Sequence, residues 1–139
     1  RPHSVLCYHD RIDLARHARQ PLRVHQLRPP AGGPVKAWAL RGALERIRAM
    51  GSPTPVLFNI QSALHAGLAG ARHFQLRIPD TYSLLTPMPP RGPLDPARRH
   101  VRDWATGRGV RSAQRLLTNT QALAHEMHRL YGRRAQVNY

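Results

Sequence analysis

Hydrophobic and polar positions alternate in this chain with two different periods. Four short segments predict strands, because they are apolar throughout or alternate with a period of two: residues 4–8, 22–27, 55–60 and 74–78. Three further segments predict helices from their apolar spacing or small apolar composition: residues 12–20, 35–50 and 62–70. Strands separated by helices favour an α/β fold with a parallel sheet and right-handed crossovers.

The second half of the chain continues the alternation after a proline-rich break. Residues 86–93 contain four prolines, which exclude a regular helix or central strand and predict an extended loop. Asp95 followed by Pro96 predicts a helix that begins there, with Asp95 as its N-cap. The apolar face of that helix is expected to carry Ala97, Val101, Trp104 and Ala105.

The last 25 residues give the clearest pattern. A short apolar strand from residue 115 runs into Thr118, Asn119 and Thr120, a polar turn suited to capping a helix. The next helix spans 121–131, carries one apolar face (Leu123, Met127 and Leu130) and is stopped by Gly132. A final strand is expected over 135–139. We therefore expect residues 1–139 to form a single Rossmann-like domain, a parallel sheet with helices on both faces.

Composition is consistent with a globular α/β domain. The chain has 139 residues and 41% hydrophobic residues, and no apolar run approaches the length of a transmembrane helix. No charged-then-apolar signal peptide opens the sequence. Cys7 is the single cysteine, so an intrachain disulfide is excluded and a cytoplasmic protein is the simplest interpretation.

The formal net charge of +15 comes almost entirely from arginine, since Lys36 is the only lysine. The arginines are dispersed, and their longest runs are pairs (Arg98-Arg99 and Arg133-Arg134). Few aromatic residues lie between them, so neither a basic tail nor a base-stacking surface is indicated. The charge predicts a polyanionic partner, and it favours an anionic membrane surface or a phosphorylated substrate over nucleic acid.

The C-terminal pattern resembles a known family. Its strand, Asn-Thr turn, helix ending in Tyr131-Gly132 and final strand are similar to the last βαβ unit of the N-terminal domain of GT-B glycosyltransferases of family 4. The resemblance covers about the last hundred residues, from Gly32 onward, and two segments before the C-terminal unit contribute to it. Residues 78–82 look like the family's loop near the acceptor, and the arginine-rich helix with Trp104 looks like the helix before its Asn-Ser motif.

This resemblance implies the acceptor-binding half of a two-domain enzyme of the hexosyltransferase type. The acceptor would be a polysaccharide or glycolipid, and the nucleotide-sugar donor would be bound mainly by a second domain whose linker begins where this sequence stops. No cofactor is implied, and the isolated domain is expected to be inactive. The implied location is the cytoplasm, peripheral at the inner face of the membrane.

Two departures from the family pattern concern its substrate loops. Pro79 stands where many members have a histidine, and proline can neither donate nor accept a proton. Between Tyr8 and Leu22 there is no glycine, although the family's first strand usually leads into a glycine-bearing loop. Either the front of the domain is abbreviated, or residues that precede Arg1 are missing.

Five residues are candidates for the site. Asp80 is the candidate catalytic residue, because it follows a parallel strand at its carboxyl end; an aspartate that stabilises the turn after Pro79 is the alternative. The other four are candidates for substrate binding: Arg77, Tyr82, Asn119 and Thr120. Arg77 would hold a phosphate or carboxylate, but an exposed arginine at a strand end is the favoured alternative. Tyr82 would stack on a sugar ring, and packing under the proline-rich loop fits equally well. Asn119 and Thr120 would line the cleft, and helix capping is the favoured alternative.

Three other features of the sequence have alternative interpretations. His125 and His128 are three residues apart, a spacing that differs from the zinc signature of hydrolases, so no metal site is predicted. The helix at 35–50 has interfacial chemistry at Trp38, but a crossover helix with Trp38 in the core is favoured. For the whole chain, a basic α/β module that binds RNA or DNA is the alternative function, with net charge as its only support.

Overall fold

The computed structural model describes residues 3–7, 22–26, 33–79 and 92–138, and these residues form an α/β fold. In chain order the elements are β1 (His3–Cys7), β2 (Leu22–Gln26), α1 (Gly33–Ala49), β3 (Val56–Phe58), α2 (Ile60–Ala69), β4 (Gln75–Ile78), α3 (Asp95–Ser112), β5 (Arg115–Thr118), α4 (Gln121–Tyr131) and β6 (Gln136–Val137). The predicted helix at 12–20 and most of the proline-rich loop lie outside the described residues. Every predicted strand appears, with ends that differ by one or two residues.

Four of the strands form a parallel sheet in the order β3-β4-β5-β6. Strands that are neighbours in the sequence are therefore neighbours in space, and each connection between them carries a helix. The strands β1 and β2 form a separate parallel pair, and β1 comes within 8 Å of β3 (Cα–Cα) without a ladder joining them. The predicted α/β fold with a parallel sheet is confirmed.

One face of the four-stranded sheet is buried in the hydrophobic core. Leu57, Leu76 and Leu116 lie in register on adjacent strands and are all buried in the core. The next row in register, which includes Phe58 and Arg77, points to the other face because side chains alternate along a strand. Phe58 is 53% exposed there. The apolar run at 55–60 is typical of a buried parallel strand, and that expectation is wrong at this position.

The two central helices approach each other through small residues. A Cβ on Gly67 of α2 would lie 1.7 Å from the backbone oxygen of Ala105, and a Cβ on Gly109 of α3 would lie 1.9 Å from that of Ala63. No side chain fits at either position. Gly109 therefore has a packing role, although in the sequence it only weakens the helix.

The buried face of α1 differs from the predicted one. Leu40, Leu44 and Ile47 face the core, whereas Trp38 is 77% exposed, so the prediction of Trp38 in the core is wrong. The aliphatic residues recur at i, i+4 and i+7 and make a continuous stripe, and Trp38 lies on the opposite side of the helix.

The N-terminal half of α3 projects from the core. Its buried residues begin at Ala105, while Ala97, Val101 and Trp104 are exposed, so the predicted apolar face is wrong as a packing surface. The helix also begins one residue earlier than predicted. Leu94 is the N-cap, and Asp95 lies in the first turn and accepts a 2.7 Å hydrogen bond from the Nε of Arg99.

The helix α4 has the bounds that the sequence predicts. Thr120 is its N-cap and its side chain accepts a 3.2 Å hydrogen bond from the backbone N–H of Leu123. Gly132 ends the helix in the left-handed conformation, at φ 67°. Leu123 and Met127 are buried, but Leu130 is exposed. None of the helices in the described part of the chain is long and apolar enough to cross a membrane.

Candidate functional site

The carboxyl ends of the four parallel strands form one edge of the sheet, here called the carboxyl edge. Asn59 follows β3, Pro79 follows β4, Asn119 follows β5 and Asn138 follows β6. In open α/β sheets ligands bind outside this edge. Three of the four positions carry a side-chain amide, which can both donate and accept hydrogen bonds.

Arg77 and Asn119 meet at this edge. The Nη2 of Arg77 donates a 3.0 Å hydrogen bond to the Oδ1 of Asn119, and the Nδ2 of Asn119 donates one of 3.2 Å to the carbonyl oxygen of Pro79. The strand register explains the contact, because Arg77 lies opposite Leu117 and Asn119 lies two residues further along, on the same face. The structure therefore brings together two of the predicted site residues, and it ties the end of β4 to the end of β5.

Asn59 holds the end of β3 in an unusual conformation. Its φ of 68° and ψ of 168° fall in a region that residues other than glycine rarely adopt. Two hydrogen bonds fix it: its backbone N–H donates to the oxygen of Arg77 (2.9 Å), and its Oδ1 accepts from the backbone N–H of Ser62 (3.1 Å). The apolar run predicts Asn59 inside a strand, and this is wrong. The signal for its capping role is an asparagine three residues before Ser62, the spacing of a helix cap.

Thr120 lies at the same edge but faces its own helix. Its side chain caps α4, and its backbone oxygen accepts a 3.3 Å hydrogen bond from the hydroxyl of the buried Thr118. Both interactions are structural, so the geometry agrees with helix capping. Asn138, which is not among the predicted site residues, continues the ladder by donating its backbone N–H to the oxygen of Thr118 (2.8 Å).

The remaining two candidates lie outside the described residues. These are Asp80 and Tyr82. Asp80 directly follows Pro79, whose carbonyl oxygen accepts the hydrogen bond from Asn119.

Arg77 has no ion-pair partner among the residues that the structure describes. Three of the four acidic side chains in the described ranges pair with an arginine of their own helix: Glu45 with Arg41, Asp95 with Arg99 and Glu126 with Arg129. The hydrogen bond from Arg129 lowers the pKa of Glu126, which keeps this carboxylate ionised. The fourth, Asp103, lies near Tyr131, whose pKa is raised by burial and by that negative charge.

The guanidinium of Arg77 can therefore bind an anion. It has five N–H donors in a planar fork, and Asn119 uses one of them. The helices α2 and α4 begin at the same edge, and the partial positive charge of a helix N-terminus also favours an anion. The edge combines a cation with amide groups, an arrangement suited to a ligand with both a phosphate or carboxylate and hydroxyl groups.

No metal centre appears in the described ranges, where no three histidine, cysteine, aspartate or glutamate side chains cluster. His125 and His128 are both exposed on α4. Comparison of the chain with models of protein families, with curated proteins and with solved structures finds no match.

Proposed function

We propose that this chain is the acceptor-binding, N-terminal domain of a GT-B glycosyltransferase. The observation that carries the proposal is the contact between Arg77 and Asn119 at the carboxyl ends of two adjacent parallel strands. An arginine fork beside side-chain amides matches an acceptor that presents both a phosphate and sugar hydroxyls, as a phosphorylated glycan or glycolipid does.

The rest of the proposed reaction extends beyond this domain. A second domain would bind the nucleotide-sugar donor, and the hexosyl group would pass to the acceptor in the cleft between the two. Asp80, next to Pro79, is the proposed catalytic residue, and Tyr82 is proposed to stack on the acceptor sugar. The nearness of β1 to β3 supports the fold in this proposal, because extending the sheet there would place β3 at a switch in strand order. The proposed location is the cytoplasmic face of the membrane.

Binding of small glycans to the chain tests the site. The amide signals of the uniformly ¹⁵N-labelled chain are followed by NMR during titration with a sugar phosphate and with the matching neutral sugar. We expect the sugar phosphate to shift the backbone and side-chain signals of Asn59 and Asn119, and the neutral sugar to shift them less. Arg77→Gln should abolish the difference between the two, and Arg77→Lys should restore only part of it because an ammonium lacks the planar fork.

Arg115 supplies the matched control. It is exposed on the same face of the sheet as Arg77, but at the opposite end of the neighbouring strand. Arg115→Gln removes the same charge and should leave the sugar-phosphate shifts unchanged. Equal losses in both variants would indicate that net charge alone attracts the ligand. Shifts with single-stranded RNA but not with sugar phosphate, lost steeply with added salt, would favour the alternative of a nucleic-acid-binding module.

A further inference from the structure

The N-terminal half of α3 carries an exposed apolar stripe. Leu94 is 64% exposed, Val101 52% and Trp104 51%, and the small Ala97 between them is also exposed. These four residues recur at spacings of three and four along the helix, so they lie on one side of it. We call them the α3 stripe. Apolar side chains in so regular a row are normally buried against another element, and within the described residues no helix or strand buries this row.

The stripe cannot turn inward, because the C-terminal half of α3 is fixed. Gly109 packs so closely on α2 that a Cβ there would meet the backbone of Ala63 at 1.9 Å, and Ala105 is fully buried in the same contact. A rotation of α3 about its axis would bring side chains into that contact. The α3 stripe therefore faces outward as a permanent feature of the fold.

Positive charge surrounds the stripe. At 3.6 residues per turn, Arg98, Arg108 and Arg111 lie within about 80° of its centre, whereas both acidic residues of α3 lie on other sides of the helix. The guanidinium of Arg108 lies 5.4 Å from the centre of the Trp104 ring, a cation–π contact that places a cation beside the largest apolar group of the stripe.

Trp38 of α1 is also exposed, but its surroundings differ from those of the α3 stripe. One turn further along that helix stand Gly42 and Arg41, and the charge of Arg41 is offset by a 2.9 Å ion pair with Glu45. One other large apolar residue, Val35, is exposed on the same side of α1 (44%), and the cation beside Trp38 is neutralised. Among the described residues, only the α3 stripe combines three exposed large apolar residues with cations that no acidic residue of the same helix face offsets.

We propose that the α3 stripe is the surface by which this protein docks on an anionic lipid bilayer. Leu94, Val101 and Trp104 suit the boundary between headgroups and acyl chains, and the flanking arginines suit phosphate headgroups. Nucleic acid fits less well, since Leu94 and Val101 can neither stack on a base nor hydrogen-bond to one. The inference rests on the proposed function for its membrane location alone; the residues that carry it are separate from the carboxyl edge.

The two tryptophans of the chain allow a direct test. In Trp38→Phe only Trp104 fluoresces, and in Trp104→Phe only Trp38 does. Each variant is mixed with phosphatidylcholine vesicles with and without phosphatidylglycerol, and with brominated lipids that quench a tryptophan inserted among them. We expect the emission of Trp104 to move to shorter wavelength and to be quenched only on the anionic vesicles, while the emission of Trp38 stays unchanged.

Substitution of the stripe gives a second readout. Val101→Ser should weaken co-sedimentation with anionic vesicles about tenfold, since it removes buried apolar area without changing charge. Trp38→Ala, which removes a larger apolar group elsewhere, should leave it unchanged, and circular dichroism checks that both variants are folded. A response from Trp38 alone, from neither tryptophan, or equally from Trp104 with a soluble RNA homopolymer and no lipid would overturn the proposal. Because no sugar is present, none of these results bears on the acceptor site.

Discussion

Gly67 and Gly109 hold α2 and α3 in backbone contact. The space at each glycine is taken by a backbone carbonyl of the opposite helix, from Ala105 and Ala63 respectively. In each helix an alanine lies four positions before the glycine, Ala63 in α2 and Ala105 in α3. This spacing puts the alanine and the glycine on the same side of their helix, the side that faces the other helix. This contact fixes the position of α3, the helix that connects β4 to β5, and hence the direction in which the α3 stripe faces.

Alanine at either glycine should destabilise the fold. A methyl group at Gly67 or Gly109 has no space unless the helices separate, so we expect Gly67→Ala and Gly109→Ala each to lower the free energy of unfolding by about 2–3 kcal/mol, the upper range for overpacking. Urea denaturation followed by circular dichroism measures the change. Gly42 is the matched control, because its Cβ would meet nothing closer than the Nη1 of Arg46 at 3.8 Å. Gly42→Ala should raise stability by about 0.5–1 kcal/mol, and a loss of similar size at all three positions would contradict the account.

The positive φ and the capping side chain of Asn59 lead to a second prediction about stability. Asn59→Ala removes the cap of α2 and leaves a Cβ at positive φ, so we expect a loss of about 2 kcal/mol. Asn59→Gly also removes the cap, but it relieves the backbone strain, and it should change stability by less than about 1 kcal/mol. The denaturation midpoints of the two variants show whether loss of the cap or strain at positive φ has the larger effect on stability. If alanine were tolerated better than glycine, the left-handed conformation would not be what this position requires.

Much of the fold follows from local pattern, and the bounds of α4 show why. All the signals for this helix lie within one short segment: a threonine cap, three apolar residues at helical spacing and a terminal glycine. Both ends of the helix can therefore be predicted from the sequence. The contact between Arg77 and Asn119 is likewise foreseeable in outline, because parallel strands bring their carboxyl ends to one edge.

The errors arise where packing between elements decides. Trp38 and Trp104 are large and apolar, yet the helices bury smaller residues instead: Leu40 and Leu44 in α1, and Ala105 and Gly109 in α3. In α3, close approach of the α2 backbone excludes an indole, and no periodicity within one helix reveals that its neighbour approaches so closely. In α1, the continuous aliphatic stripe takes the core, and Trp38 lies on the opposite side. The exposed face at Phe58 has the same origin, since an apolar run does not say how many faces of a sheet are covered.

His65 should make stability depend on pH. Its pKa is lowered, first by burial and second by the positive charge of Lys36, so the unfolded chain takes up this proton before the folded one does. The stabilisation is present above the ordinary pKa of histidine and is lost as pH falls through the lowered value. We expect His65→Gln to lose less stability than the natural chain between about pH 7 and about pH 5, as measured by urea denaturation at each pH. Lys36→Gln should have a smaller effect in the same direction; identical pH profiles for all three proteins would show that His65 does not contribute.

The proposed function also predicts what this chain does not do: alone, it should transfer no sugar. Transfer from a nucleotide donor requires positive groups that stabilise the departing diphosphate, held against a correctly placed acceptor. Arg77 can bind one anion at the carboxyl edge, but in the described residues the helix starts at this edge are capped by the side chains of Asn59 and Thr120, and no glycine-rich loop there forms a diphosphate cradle. The measurement is release of free nucleotide from a panel of sugar nucleotides, with and without a glycan acceptor. Release no faster than in buffer is expected for the natural chain and for Asp80→Ala alike. Turnover that Asp80→Ala abolishes and Arg115→Gln leaves intact would show a complete active site within these 139 residues, and the assignment to the acceptor half of a larger enzyme would fail.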